Sequence, residues 1–360
     1  MSYQLLYGQS FNRVYFGKQF IKLTNKLENH NKYQFQTGLN IDSIPFNPRG
    51  KSEPGGIYFC LIEKLAMWLN YSQNPMFYAR LVTIPDNALV WIEKDKFKTD
   101  RLILDNRIPI TELSIWKDPS YCLEACRLNE FALQYVREQT PEICLLACTW
   151  YPYALQYVTK QTPELCLAAV QQNGYALQYV REQTTEICLA AIQQNDSALQ
   201  YVKQQTKEIC TAAILLNSAS LEYVIKQTPE LCLIAVQEDG CALQYVRQQT
   251  PEICLEAVKE DGNALQYVKQ QTPEIYLEAI KEDGEALEYV KQQTSQICLA
   301  AVHQFGLALR YVKKQTPEIY LAAVRENNNA SQYIKKKKQY LSGKTETKYE
   351  VRRIISCYIY

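Results

Sequence analysis

The chain has 360 residues, of which 47% are hydrophobic and 21% charged, with a formal net charge of +1. That balance belongs to a folded chain of about two domains, and it excludes a protein that holds nucleic acid through its overall charge. No run of about 18 apolar residues occurs, so no membrane span is expected, and the start Met-Ser-Tyr-Gln-Leu-Leu-Tyr lacks the pattern of a signal peptide, which assigns the 13 cysteines to a reducing compartment.

Residues 1–108 carry no long repeat and read as a small α+β domain. Phe20–Leu23, Ile57–Phe59, Phe77–Thr83, Ala88–Ile92 and Leu102–Leu104 have the short apolar pattern of strands, and Leu61–Asn70 reads as a helix. Asn47-Pro48-Arg49-Gly50 and Pro54-Gly55-Gly56 are turns. The one polar cluster that could carry chemistry is His30, Asn31, Arg49 and Glu53 with the Gly55-Gly56 turn. Small domains that split NAD for ADP-ribosyl transfer use scattered His, Arg, Tyr and Glu on short strands. These residues lack diagnostic spacing, however, and the chain has no phosphate loop, no Ser-His-Asp order and no HExxH. A lone histidine between two asparagines is ordinarily a loop residue. The expectation is therefore a non-enzyme, with no catalytic residue and no cofactor.

From residue 109 a strict period takes over. Ala-Leu-Gln-Tyr-Val or a close variant begins at Ala132, Ala154, Ala176, Ala198, Ser220, Ala242, Ala264, Ala286, Ala308 and Ala330, always 22 residues apart. A fixed period without insertions means one unit stacked on copies of itself. In the unit Thr162–Gln183, Thr162-Pro163-Glu164 starts a helix: threonine suits the N-cap, proline the first helical position and glutamate the positive end of the dipole. Asn173-Gly174 stops it, with glycine expected in the left-handed conformation, and Ala176–Gln183 reads as a second helix. Helices of about ten and eight residues are marginal alone, so each hairpin must bury its apolar stripe on the next. Residues 109–334 are thus expected to form an α-helical solenoid of about ten helical hairpins, roughly 80–100 Å long at about 8–10 Å per layer.

Three columns run down this array. Cys144, Cys166, Cys188, Cys210, Cys232, Cys254 and Cys298 share one position, Cys122 continues it backwards, and Tyr276 and Tyr320 replace it. A slot that accepts Cys or Tyr is a packing slot. Stacked helices lie too far apart for a disulfide ladder, and with no Cys-x-x-Cys pair and two histidines in the chain no zinc or other metal site is expected. A tyrosine column, Tyr135 to Tyr333, is expected to pack between units. A glutamine column, Gln139 to Gln315, either bonds along the stack or is solvated. The copies differ most at the hairpin tips, where Trp150, Tyr151, Tyr153, Tyr175 and Phe305 are the candidate partner-binding residues; the competing reading is drift at exposed turns. Basic residues recur after Tyr-Val, but Glu recurs at the helix starts, so the array has no positive excess for phosphates. The segment after residue 334 holds eight Lys/Arg against two Glu. Its run Lys335, Lys336, Lys337, Lys338 is either a nuclear-import or nucleic-acid patch or the solubilising end-cap that an open stack requires, and the second reading is favoured.

Leu23-Thr24-Asn25, Glu28-Asn29-His30, Gly38-Leu39-Asn40-Ile41-Asp42, Ile44-Pro45-Phe46-Asn47-Pro48 and Gly55-Gly56-Ile57-Tyr58-Phe59 resemble the N-terminal domain of a large paralogous group in Mimivirus-type giant viruses. In that group the domain often precedes ankyrin repeats. The repeats here lack the ankyrin Thr-Pro-Leu-His pattern and 33-residue length, and resemble instead another giant-virus helical repeat with no assigned function. The resemblance implies a viral protein-interaction module in an amoebal host, acting in the cytoplasm, the virus factory or the nucleus on a host or viral protein partner. It brings no catalytic residues. Two alternatives stand beside it: a nucleotide- or NAD-dependent transferase domain targeted by the repeats, and an adaptor to host ubiquitin machinery.

Overall fold

The computed structural model describes residues 4–30, 33–48, 54–71 and 74–335. The chain forms two compact units, Met1–Glu182 and Gln183–Tyr360. The division falls inside the repeat array, and each unit is described by itself.

The first unit opens with a nine-stranded sheet. Its strands are β1 (Gln4–Tyr7), β2 (Phe20–Thr24), β3 (Gly38–Ile41), β4 (Ile57–Leu61), β5 (Tyr78–Thr83), β6 (Leu89–Ile92), β7 (Phe97–Thr99), β8 (Arg101–Leu104) and β9 (Ile108–Pro109). They follow the order β1-β6-β7-β4-β2-β5-β8-β3, with β9 also on β5, and the pairings are antiparallel. Each strand expected from sequence overlaps one of these, with Phe77 and Ala88 falling just outside. The segment expected as a helix over 61–70 is a 3-10 helix, Ile62–Trp68. Phe11 on the short helix α1 (Gly8–Val14) is fully buried against Phe20, Phe59 and Phe97, ring centroids 5.1 to 6.0 Å away. Aromatic rings in such tilted and edge arrangements provide much of a small core's burial. Gly8 is required at the start of α1, because a Cβ there would collide with the Pro85 carbonyl oxygen.

The sheet passes directly into the repeats. Trp116 is 1% exposed, donates from Nε1 to the Ile110 carbonyl (2.9 Å) and stacks on Tyr135, the first member of the tyrosine column, at 5.3 Å. The Ala66 amide donates to the Tyr121 hydroxyl (3.2 Å), and Arg137 donates to the Thr111 carbonyl (3.1 Å). The β domain therefore closes the first face of the stack, the capping that repeat arrays require.

Ten α-helices of ten residues each follow at the 22-residue step: α2 (Pro119–Leu128), α3 (Pro141–Trp150) and α4 (Pro163–Gln172) in the first unit, and α5 (Thr185–Gln194), α6 (Lys207–Leu216), α7 (Pro229–Glu238), α8 (Pro251–Glu260), α9 (Pro273–Glu282), α10 (Ser295–Gln304) and α11 (Pro317–Glu326) in the second. Asp118 caps α2 and a threonine caps each of the rest; Thr250 Oγ1, for example, accepts from the Ile253 amide at 3.3 Å. The second limb departs from expectation. It is a six-residue 3-10 helix, Gly174–Tyr179 in the unit read above, not an α-helix over 176–183. Two causes act. The Asn173 side chain accepts from the Tyr175 amide (3.0 Å) and starts the helix early. Val180 then bonds back to Leu177 and turns extended (φ −72°, ψ 120°), which ends it.

The glycines at the tips also need correction. Among the described residues, positive φ at glycine occurs at Gly17, Gly38, Gly55 and Gly56, all in the β domain. The tip glycines serve close approach instead: a Cβ on Gly262 would stand 2.6 Å from the Ala279 carbonyl oxygen of the next repeat.

Candidate functional site

What the repeats can offer a partner depends on which polar groups the stack has already used. The glutamine column is fully engaged. Gln249 donates from Nε2 to the carbonyls of Leu243 (3.4 Å) and Tyr267 (2.9 Å), while its Oε1 accepts from the Lys269 amide (2.9 Å) and lies 3.7 Å from Cys254 Sγ. Gln139 repeats this in the first unit, bonding Leu133, Tyr157 and Thr159. Each amide thus ties its own repeat to the next. The twelve described cysteines are free thiols, eleven of them buried, and burial pushes the Cys254 and Cys298 thiols up. The column is a packing slot, and its Tyr320 variant is 1% exposed.

The basic residues after Tyr-Val form a second ladder. Arg181 donates to the carbonyls of Thr159 (2.7 Å) and Val158 (2.8 Å), and Lys269 to those of Arg247 (3.0 Å) and Val246 (3.4 Å). These cations close carbonyls of the preceding repeat. Lys335 ends the series on Val312 (2.7 Å); Lys336, Lys337 and Lys338 lie outside the described residues.

The five aromatic candidates divide. Trp150 is 59% exposed at the end of α3. Tyr151 donates to the Arg127 carbonyl (3.4 Å), and Tyr153 sets its ring edge against Tyr179 (5.8 Å) while its hydroxyl accepts from Asn173 (3.4 Å). Tyr175 and Phe305 are half-buried. Phe305 takes the slot where other repeats place a capping Asn or Asp, and no side chain caps its 3-10 helix.

A register comparison finds residues that the tips alone did not reveal. The last two positions of the first helix are Gln171-Gln172, Lys259-Glu260 or Lys281-Glu282 in ordinary repeats, but Leu215-Leu216 in α6. Both leucines are more than half exposed. Trp150 stands at the second of these positions in α3. Ile225 likewise replaces the stapling Arg or Lys and is 69% exposed.

In the β domain, His30 lies on the two-residue strand Asn29–His30, whereas Asn31, Arg49 and Glu53 lie outside the described residues. His30 borders a cleft lined also by Lys22, Tyr33, Asp42, Gly56 and Tyr58. The cleft holds about 20 Å³, room for roughly one water and far below the ~300 Å³ where ligand pockets begin. Lys22, unremarked in the sequence, is 8% exposed and lies 4.7 Å from the Phe35 ring centroid. Burial holds its amine down to about 8. Partial burial, and then Lys22, hold the His30 imidazole below its usual range. Elsewhere in the domain the Arg80 fork grips Glu28 at 2.8 and 3.1 Å and bonds Thr37 and the Asp105 carbonyl, a fully satisfied buried pair. Among the described residues, no group of three His, Cys, Asp or Glu could hold a metal ion, and no helix is long and apolar enough to cross a membrane.

Residues 140–185, 162–205, 228–271 and 250–293 match the family model described as Domain of unknown function (DUF4116). Each match spans two of the 22-residue units. The chain is 33% identical over 103 residues to a putative ankyrin repeat protein of Acanthamoeba polyphaga mimivirus, covering 26% of this chain and 32% of that protein. It is 29% identical over 115 residues to an uncharacterized protein of the same virus, covering 31% of this chain and 83% of the other. A second putative ankyrin repeat protein of that virus is 29% identical over 107 residues, with 28% of this chain and 51% of the other covered. The chain thus spans about a third and a half of the two ankyrin repeat proteins. No solved structure matches it.

Proposed function

We propose that this chain is a non-catalytic protein-binding scaffold of a giant virus, acting inside the infected host cell. The carrying observation is the apolar substitution of exposed slots. Where other repeats carry Gln, Lys or Glu, Trp150, Leu215 and Leu216 expose more than half of their surface. Packing within the repeat does not require them, because α4, α5 and α7 to α11 have polar residues at these positions, although α2 also ends on a leucine, Leu128. Exposed apolar groups cost solubility and are typical of interaction surfaces, and tryptophan in particular concentrates binding energy at protein interfaces. The relatives whose names mark them as ankyrin repeat proteins support the same class of role.

The test is capture from extracts of infected amoebae by the tagged full chain, alongside Trp150→Gln and the double variant Leu215→Gln/Leu216→Glu. The reading expects one or more proteins retained by the natural chain and lost with at least one variant, at unchanged melting temperature. Retention that is identical for all three chains, or no retained protein at all, overturns it.

A further inference from the structure

In the β domain one buried cation faces no anion of its own. Lys22 lies on β2, and its side chain lines the cleft with His30, Tyr33, Asp42 and Tyr58. Among the described residues none accepts a hydrogen bond from its ammonium, whose neighbour is the Phe35 ring. The surrounding charges are committed elsewhere. Arg80, opposite Lys22 in the strand register, forks onto Glu28. Lys98 donates to the Asn47 carbonyl (2.7 Å). Asp42, the carboxylate lining the cleft, accepts from the Ile44 amide (2.9 Å) with one oxygen and from the Gly56 amide (2.7 Å) with the other. Cys60, on the neighbouring strand β4, is held protonated by its burial. An ammonium that reaches water only through a narrow cleft, beside an aromatic face, recovers only part of its desolvation cost. A group that brings a negative charge to it recovers much more.

We infer that this cleft is a carboxylate-binding site, with Lys22 as its buried cation and the exposed His30 at its rim. The chemistry of the ligand follows from size and charge. A cleft of about 20 Å³, room for about one water, admits only the oxygen-bearing head of a carboxylate in place of that water, with the rest of the ligand outside, and not a nucleotide or a sugar phosphate. The Asp42 carboxylate on the same lining disfavours a dianion such as a phosphate monoester more than it disfavours a monoanion. The carboxylate can belong to a small free acid or to an acidic side chain of a peptide. This site goes beyond the scaffold reading and does not depend on it, since the scaffold surface lies on the repeats.

The chain has two histidines, so proton NMR of the imidazole rings reports on the cleft through His30, with His303 as the internal control. The full natural chain is titrated with sodium acetate, with a capped Gly-Glu-Gly peptide and with its Gly-Gln-Gly counterpart. The site predicts a saturable shift of His30, but not of His303, with acetate or the Glu peptide, and none with the Gln peptide. Affinity should fall about tenfold or more in Lys22→Met and be largely kept in Lys22→Arg. A Glu peptide that binds at least about tenfold tighter than acetate identifies a peptide ligand; equal affinities identify a small free acid. The inference is overturned if His30 and His303 shift alike, if the Glu and Gln peptides are indistinguishable, or if Lys22→Met binds as the natural chain does. Should Lys22→Met fail to fold, the Glu against Gln comparison on the natural chain decides alone.

Discussion

At the scale of single residues, the chain spends polar groups where the stack has orphan backbone atoms. Gln249 satisfies two carbonyls and one amide across a repeat boundary, each bond worth about 1 kcal/mol net and more when its loss strands a buried partner. Gln249→Ala should therefore destabilise the protein by roughly 2–4 kcal/mol, read as a lowered melting temperature. Gln178, whose amide bonds only the Tyr175 carbonyl at the surface, should tolerate alanine within about 0.5 kcal/mol. Equal losses at the two sites would contradict the ladder. Lys22 makes the opposite case, a residue that costs stability. Its folded value, about 8, lies below the ordinary 10.5, so the folded chain holds the proton less readily than the unfolded one. The penalty is complete below about pH 8 and is relieved as pH rises from there towards 10.5. Lys22→Met should raise the melting temperature at pH 7, and its advantage should shrink as the pH is taken above 8. A lower melting temperature for the variant at pH 7 would show that burial is not what the lysine suffers.

At the scale of elements, the two limbs of a repeat are set by different forces. The first helix was legible because its start is written in local chemistry: threonine, proline and glutamate each act within one turn. Thr250→Ala removes the bond to the Ile253 amide and should cost about 1 kcal/mol, measured by chemical denaturation; Thr250→Ser should restore most of it. The second limb was misread as an α-helix because Ala-Leu-Gln-Tyr-Val has the right composition for one. Composition does not show that Asn173 caps three residues before the phrase, or that the chain must turn extended after Tyr179 to bring the next glutamine beneath its neighbour. The tip glycines were misjudged for a related reason. A helix-ending glycine usually supplies left-handed backbone, and only the distance to the Ala279 carbonyl on the following helix shows that space is the constraint.

At the scale of the molecule, the β domain is the first layer of the repeat stack as well as a fold of its own. Trp116 is buried and Tyr121 half-buried at the join, so a chain shortened to begin at residue 109 should expose them further and aggregate, visible as early elution in size exclusion beside the monodisperse full chain. A soluble, monomeric fragment would show that the repeats need no such cover. The candidate residues differ in how far the fold leaves them exposed. Trp150 is prominent in both sequence and structure, while Tyr153 and Tyr175 looked like surface aromatics and are partly enclosed. Leu215 and Leu216 were available to anyone aligning the ten units slot by slot, since an apolar residue among polar equivalents is a sequence signal. Lys22 was not, because a lysine in the middle of Phe-Ile-Lys-Leu-Thr reads as the outward residue of an alternating strand. What the sequence by itself determined is the stack: period, helix starts and packing slots are local and repeat ten times, so each copy corroborates the others. What only the tertiary structure decided is where unlike segments meet. The nine-stranded pairing order, the fork of Arg80 on Glu28 and the cleft over Lys22 join residues dozens of positions apart, and no short-range pattern encodes contacts whose partners occur once.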